Sequence, residues 1–335
     1  MEHKVSIIIL NWNGIKDTLE CLQSVYKLDY SNFEVIVVDN GSTDNSIQVI
    51  RNSFPNVIMI ENKENLGYAG GNNVGMRYAM DTDAKFFWLL NNDTVVAPDS
   101  LSELILADDK SPGCGLLSPV IYFYDEPEMV QFCGSILDWR KKDFIHFRDV
   151  MSLKNNASAK DLVLWGTALF ISRKVVMAAG YLNENYFSYH EDLEYSVRAI
   201  NSGFTNMVVS TAKIYHKEAR SSGGRDSPLH CYYMTRNIYY FWSDNLRGLD
   251  KIFYLRNYLS DSISLAGSLK KKKRPDSVNA CMDAIWSALR SIKGPWDKDI
   301  RMPSLIKHIL LACPIFWVYL LRGGFRRYMH RNMCT

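Results

Sequence analysis

Four short runs of bulky apolar residues lead the chain, Val5–Leu10, Phe33–Val38, Val57–Ile60 and Phe86–Leu90, and each stops at Asn, Asp or Gly. β-Branched and aromatic residues bounded by turn formers predict strands. The unbroken Phe86-Phe87-Trp88-Leu89-Leu90 predicts one buried on both faces. Between the runs, apolar residues fall at helical spacing, as in Thr18-Leu19-Cys21-Leu22-Val25 and Ile47-Val49-Ile50. Strand and helix alternating in this way predict an α/β fold built on a mostly parallel sheet. Ligands of such sheets bind beyond the carboxyl ends of the strands, here the loops Asn11–Gly14, Asp39–Asp44, Asn62–Asn73 and Asn91–Thr94.

Further on, Pro112, Gly113, Gly115, Pro119, Pro127 and Gly134 break residues 111 to 165 into short pieces, which predicts an antiparallel excursion. A strand over Leu162–Ile171, a helix over Lys174–Ala179 and a loop over Asn183–Tyr189 follow. His190-Glu191-Asp192 opens a helix through Asn201, since acidic residues suit a first turn, and Gly203 is its stop signal. From Leu229 the pattern is helical and aromatic. The expected division is residues 1 to 245 as a catalytic region and 246 to 335 as a basic helical region.

Composition is that of a folded protein, with 47% hydrophobic and 22% charged residues, so disorder does not dominate. The net charge of +3 hides an asymmetry: Ser268–Thr335 holds fourteen of the 39 Lys and Arg but four of the 36 Asp and Glu, leaving 25 basic and 32 acidic residues before it. A basic tail on a mildly acidic body points to a polyanion or an anionic membrane. Nothing resembling an aromatic-and-basic recognition motif accompanies it, which disfavours nucleic acid. The seven cysteines lack zinc or redox spacing, and Val5–Leu10 is too short for the core of a signal peptide, so a reducing cytoplasmic setting is expected.

The loops carry the candidate chemistry. Asp39-Asn40-Gly41-Ser42-Thr43-Asp44 follows a strand; it reads as a turn with a helix cap, or as a backbone approach to a ligand with Asp39 bonding a base or ribose. No G-x-G-x-x-G and no G-x-x-x-x-G-K-[ST] is present, which disfavours nicotinamide-binding and P-loop chemistry. Asn65-Leu66-Gly67-Tyr68-Ala69-Gly70-Gly71-Asn72-Asn73 concentrates glycines and amides as a ligand-hugging loop does, or a linker. Asp93 closes Asn91-Asn92-Asp93 at a strand end, where oxygen ligands suit a hard cation carrying a diphosphate. Asp192 reads as a general base or a helix-capping charge, and His216 as a metal ligand or a structural histidine.

Taken in order, Val5–Gly14, Phe33–Asp44, Glu64–Asn73, Phe86–Thr94 and His190–Ala199 resemble the inverting, nucleotide-sugar-dependent glycosyltransferases of family 2, with the GT-A fold, over residues 4 to 245. Glu64–Asn73, Leu89–Thr94 and Tyr233-Met234-Thr235-Arg236-Asn237 are similar to its rhamnosyltransferase-like branch, which builds bacterial polysaccharides. The resemblance implies that Asn11, Trp12, Asn13, Asp39, Asn40 and Gly41 surround the nucleotide, with Asn65, Gly67, Gly70, Gly71 and Asn72 along the ribose and sugar. It implies Asn91 and Asn92 beside the diphosphate, Arg198 and Arg220 pairing with phosphate, and Asp93 with His216 holding Mg²⁺ or Mn²⁺. Asn91 stands where the family's metal motif has its first acid. Asp192 matches the catalytic base, Glu191 its orienting neighbour, and Trp165, Gly166, Tyr189 and His190 the acceptor side.

The implied reaction moves a sugar, rhamnose from dTDP-rhamnose as the leading choice and a UDP-hexose as the other, to a saccharide or lipid-linked acceptor. The rival class is a non-catalytic nucleotide-sugar-binding scaffold; a nucleotidyltransferase is disfavoured because no basic Gly-rich loop follows the first strand. In the tail, Lys270–Arg274 precedes the apolar Leu305–Leu321, whose 17 residues include Lys307, His308 and Pro314. That is too short and too polar for a bilayer crossing. It predicts a peripheral helix at the inner membrane face, or else a packing element or homodimer interface.

Overall fold

The computed structural model describes residues 3–156, 160–217, 224 and 226–321. The elements run β1 (Val5–Asn11), α1 (Ile15–Val25), β2 (Phe33–Asp39), α2 (Ser46–Ser53), β3 (Ile58–Glu61), α3 (Gly67–Met80), β4 (Phe86–Asn91), β5 (Thr94–Val96), α4 (Ser100–Lys110) and β6 (Cys114–Phe123). There follow β7 (Val130–Phe132), β8 (Ser135–Asp138), β9 (Asp143–His146), α5 (Val150–Asn156), β10 (Leu162–Val163), β11 (Ala168–Ser172), α6 (Arg173–Ala179), α7 (Glu191–Asn201) and β12 (Thr205–His216). The last stretch is helical: α8 (Pro228–Asn245), α9 (Gly248–Lys271), α10 (Pro275–Leu289), α11 (Ser304–Ala312) and α12 (Pro314–Leu321).

The main sheet has the order β3-β2-β1-β4-β11-β6-β12-β5, with β7 beside β6. Neighbours from β3 to β4 are parallel, β11 runs antiparallel to both its neighbours, and β6 is parallel to β12. Side chains alternate across this sheet, so Ile7, Ile9, Val37 and Trp88 join a core with α1, while Ile8, Val38 and Leu89 join one with α3. Burial on both faces is why those strands read as continuous apolar runs.

Four expectations change. The 162–171 strand is two strands, because Trp165 and Gly166 leave the ladder between β10 and β11. The antiparallel excursion holds for β7 to β10, a small β10-β8-β9 sheet among them, but β6 is a strand of the main sheet. The glycine-rich segment is no loop beyond Leu66: Gly67 starts α3 with φ of 73°, and Gly71 and Gly75 let that helix close on the sheet. A Cβ at Gly71 would meet Leu10 Cδ1 at 2.4 Å, and one at Gly75 would meet Ile8 Cγ2 at 2.5 Å.

The fourth is the division of the chain, into compact units Met1–Ser221 and Ser222–Thr335 rather than at residue 245. α8 belongs to the second unit because its aromatic face packs there: the Tyr232 hydroxyl bonds Ser287 Oγ of α10 at 3.0 Å, and Tyr232 stacks on Trp296. Buried Arg236 lies over the rings of Tyr232, Tyr233 and Tyr240 and donates to the Gly294 carbonyl at 2.6 Å.

Candidate active site

Strand register gathers the site at one sheet edge. Asn11 lies opposite Asp39, and Leu10 opposite Asn91, so β1, β2 and β4 end together. Because β11 enters antiparallel, its approach lies at that same edge, where the Asn91 N–H donates to the Thr167 carbonyl at 3.0 Å. The neighbouring Gly166 N–H donates to Asp192 Oδ2 at 2.6 Å, and the Leu193 N–H to Oδ1 at 2.8 Å. The Tyr68 hydroxyl donates to the Gly166 carbonyl, joining α3, the 165–167 segment and α7.

Asp192 is half-buried, and loss of solvent raises its pKa against the pull of the two backbone donors. Glu191 is 3% exposed and Oε2 has no partner among the described residues. Burial, then the Asp192 charge, pushes its carboxyl well above the usual range. The chain reaches these carboxyls through Phe187, Tyr189 and His190, all with positive φ (65°, 69° and 70°).

At the other end of the edge, β12 pairs antiparallel with β5, setting His216 opposite Thr94. The Lys217 N–H donates to the Asp93 carbonyl at 3.0 Å, and His216 Nε2 lies 3.3 Å from Asp93 Oδ1. His216 Nδ1 lies 2.8 Å from Gln131 Oε1, an acceptor, so Nδ1 carries the proton and Nε2 is the nitrogen turned to Asp93. Asp93 is buried, which alone would raise its pKa; the hydrogen bond and charge of His216, backbone donation and Lys217 hold it below the usual value instead. Lys217 Nζ is itself held by Asp17 at 2.7 Å and Glu20 at 2.6 Å.

Among the described residues no cluster of three or more His, Cys, Asp or Glu forms a metal cage. Asp93 and His216 nevertheless fit a hard cation that takes its other ligands from a diphosphate and water. Asn91 suits the same task, since its half-buried side chain makes no hydrogen bond among the described residues. Buried Asn92 is held in place through Nδ2, which donates to Thr18 Oγ1 at 3.0 Å and the Gly14 carbonyl at 3.4 Å.

The remaining nucleotide candidates separate into surface groups and scaffold. Trp12 is 37% exposed at the edge. Asn13 is exposed and ties the first two loops, accepting from the Thr43 N–H at 2.8 Å while its own N–H donates to Ser42 Oγ at 2.9 Å. Asn11 donates to Asp39 Oδ1 at 2.8 Å, and Asp39 Oδ2 accepts from the Ser42 N–H at 2.9 Å. Asn40 and Asn65 bond each other and the backbone at Leu66 and Gly67, fixing the entry to α3 beside Gly41. Asn72 is internal, donating to the Tyr68 carbonyl, and Gly70 packs on Leu66.

Arg198 is a correction. Its guanidinium pairs with Glu194 at 2.8 Å and donates to the carbonyls of Ala179 and Tyr181, so its charge is consumed in joining α7 to α6 rather than held for phosphate. It lines a cleft of about 540 Å³ with Arg77 and Glu184, apart from Asp93 and His216. Arg220 lies outside the described residues. On the acceptor side, Trp165 stacks on Phe132 at 3.7 Å with His146 edge-on at 5.9 Å, and His190 lies 6.2 Å from Phe144.

Sequence reasoning missed Tyr68, Gln131, Lys217 and the aromatic pair Phe144 and His146. Only Lys217, next to His216 and answering the acidic Asp17 and Glu20 three apart on α1, left a signal in the sequence.

Residues 6–174 match the family described as glycosyl transferase family 2. A low-salt glycan biosynthesis hexosyltransferase of Haloferax volcanii, Agl10, is 26% identical over 312 residues, covering 89% of this chain and 94% of its own. An N-acetylglucosaminyl-diphospho-decaprenol L-rhamnosyltransferase of Mycobacterium tuberculosis is 27% identical over 269 residues, covering 71% and 86%. An uncharacterized protein of Sinorhizobium fredii is 27% identical over 243 residues, and there the match spans 25% of the relative's length. Among solved structures, a mannosyltransferase from Pyrobaculum calidifontis in complex with GDP-Man and Mn²⁺ superposes with a TM-score of 0.55 at 15% identity, covering 95% of this chain and 84% of that one. The sheet order, the edge that gathers Asp93, Asp192 and His216, and the match over half the chain make it a member of glycosyl transferase family 2.

Proposed function

We propose that this glycosyltransferase moves rhamnose from dTDP-rhamnose to a saccharide or lipid-linked acceptor in cell-surface polysaccharide synthesis, inverting the anomeric carbon. The observation that carries the reading is the Asp192 carboxyl, held by the Gly166 N–H at the sheet edge that also bears Asp93 and His216. Rhamnose is supported by the likeness to the Mycobacterium tuberculosis rhamnosyltransferase and to a dTDP-rhamnosyl transferase of Shigella flexneri. A lipid-diphosphate acceptor like that of the former would set the enzyme at the inner face of the membrane.

In the reaction Asp192 accepts the proton of the acceptor hydroxyl as that oxygen attacks the anomeric carbon and the nucleoside diphosphate departs on the opposite face. Gly166 keeps the carboxylate oriented, with buried Glu191 as its neighbour on α7. Half-buried Trp165, backed by the buried ring of Phe132, offers a ring face for the acceptor sugar. Asp93, His216 and Asn91 would hold Mg²⁺ or Mn²⁺ against the diphosphate, and such an ion neutralises the leaving charge.

Nucleotide release from dTDP-rhamnose and from UDP-hexoses, with and without Mn²⁺, tests donor and metal together. Asp192→Asn is expected to lower the rate by at least about a hundredfold while donor affinity by calorimetry stays unchanged. Near-normal turnover in that variant would remove Asp192 from the mechanism.

A further inference from the structure

We propose that the elbow between α11 and α12, with the lysine run that ends α9, docks on the interface of an anionic bilayer. α12 reads Pro-Ile-Phe-Trp-Val-Tyr-Leu-Leu, apolar on every face, and neither it nor α11 buries a residue fully. Leu305 and Ile315 are 71% and 74% exposed, and Ile309, Phe316, Tyr319 and Leu320 are exposed as well. So much contiguous apolar surface calls for an apolar phase to cover it. No described helix is long and apolar enough to cross a membrane, and the two pieces meet at a bend of 84°. Together they reach the length and composition of a span only as a bent pair, and their Trp and Tyr side chains suit the bilayer interface. The Trp317 indole donates to the Ile309 carbonyl at 2.9 Å, holding the elbow folded.

Charge argues for the occupant. Lys270 Nζ donates to the Leu311 carbonyl at 3.2 Å, and Pro314 sits against Gly267, so the end of α9 abuts the elbow. That brings the five exposed cations Lys270–Arg274 beside the apolar side chains. Lys272 pairs with Asp226, but Lys271 and Lys273 have no carboxylate partner among the described residues. A symmetric contact between two copies would set these cations against each other. An anionic leaflet accepts both the charge and the apolar side chains.

Flotation of the full chain with phosphatidylcholine vesicles, with and without phosphatidylglycerol, tests this. No donor or acceptor is present, so the outcome is separable from that of the transferase reading. Binding should need the anionic lipid, fall at least about tenfold in Lys271→Glu/Lys273→Glu, and fall in Leu305→Glu/Ile315→Glu. All four positions are exposed, and thermal melts verify that the variants fold. Binding that ignores phosphatidylglycerol, or that neither pair weakens, overturns the proposal. So does a dimer, seen by sedimentation, that Leu305→Glu/Ile315→Glu dissociates while vesicle binding persists.

Discussion

Two adjacent carboxyls at the start of α7 differ in their burial and in their donors. Asp192 has the N–H groups of Gly166 and Leu193; Glu191 has an oxygen with no partner among the described residues and is shut away from water. Burial raises the pKa of such an acid, and the sign of its linkage follows. With its folded pKa above the unfolded value near 4.5, Glu191 contributes stability below that pH and loses it as pH rises through the folded pKa. Glu191→Gln cannot ionise. Thermal melts from acid to alkaline pH should therefore show the variant gaining on the wild type as pH rises, and a constant gap would mean that folding leaves the Glu191 pKa unchanged. None of this was legible in Glu191-Asp192 as a dipeptide, because the donor that separates their roles is a backbone N–H 26 residues away.

The parallel strands were legible as elements because burial on two faces leaves no polar position to interrupt them. β12 was not: its 12 residues alternate between buried and exposed, and Ser210, Thr211 and Lys213 break the apolar run. The glycine-rich segment misled for the opposite reason. Local propensity disfavours glycine in a helix, but close approach to β1 and β2 requires it there. Gly75→Ala would press a methyl onto Ile8 Cγ2, which a β-branched side chain cannot swing aside. Overpacking of this kind costs about 1–3 kcal/mol. Urea denaturation should show that loss, and an unchanged midpoint would mean that α3 lifts freely from the sheet.

Across the whole molecule, the sequence motifs fall together at one sheet edge, while the buried side-chain network that shapes it came from contacts too long-range to read. Asn11, Asn40, Asn65, Asn72 and Asn92 look alike as candidate ligands, and tertiary structure spends most of them on holding loops. The left-handed residues before Asp192 are the other side of that economy. Each such residue costs roughly 1–2 kcal/mol in an L-amino acid, and it persists only because the surrounding fold leaves no alternative. Tyr189→Ala and Tyr189→Gly delete the same ring, yet glycine should be the more stable of the two by about 1 kcal/mol, reversing the usual order. Equal unfolding midpoints would show that the backbone there is relaxed. The same geometry bears on how this enzyme would adapt: selection for heat resistance alone would favour glycine ahead of Asp192, and the lineage would trade a well-aimed carboxyl for a more durable fold.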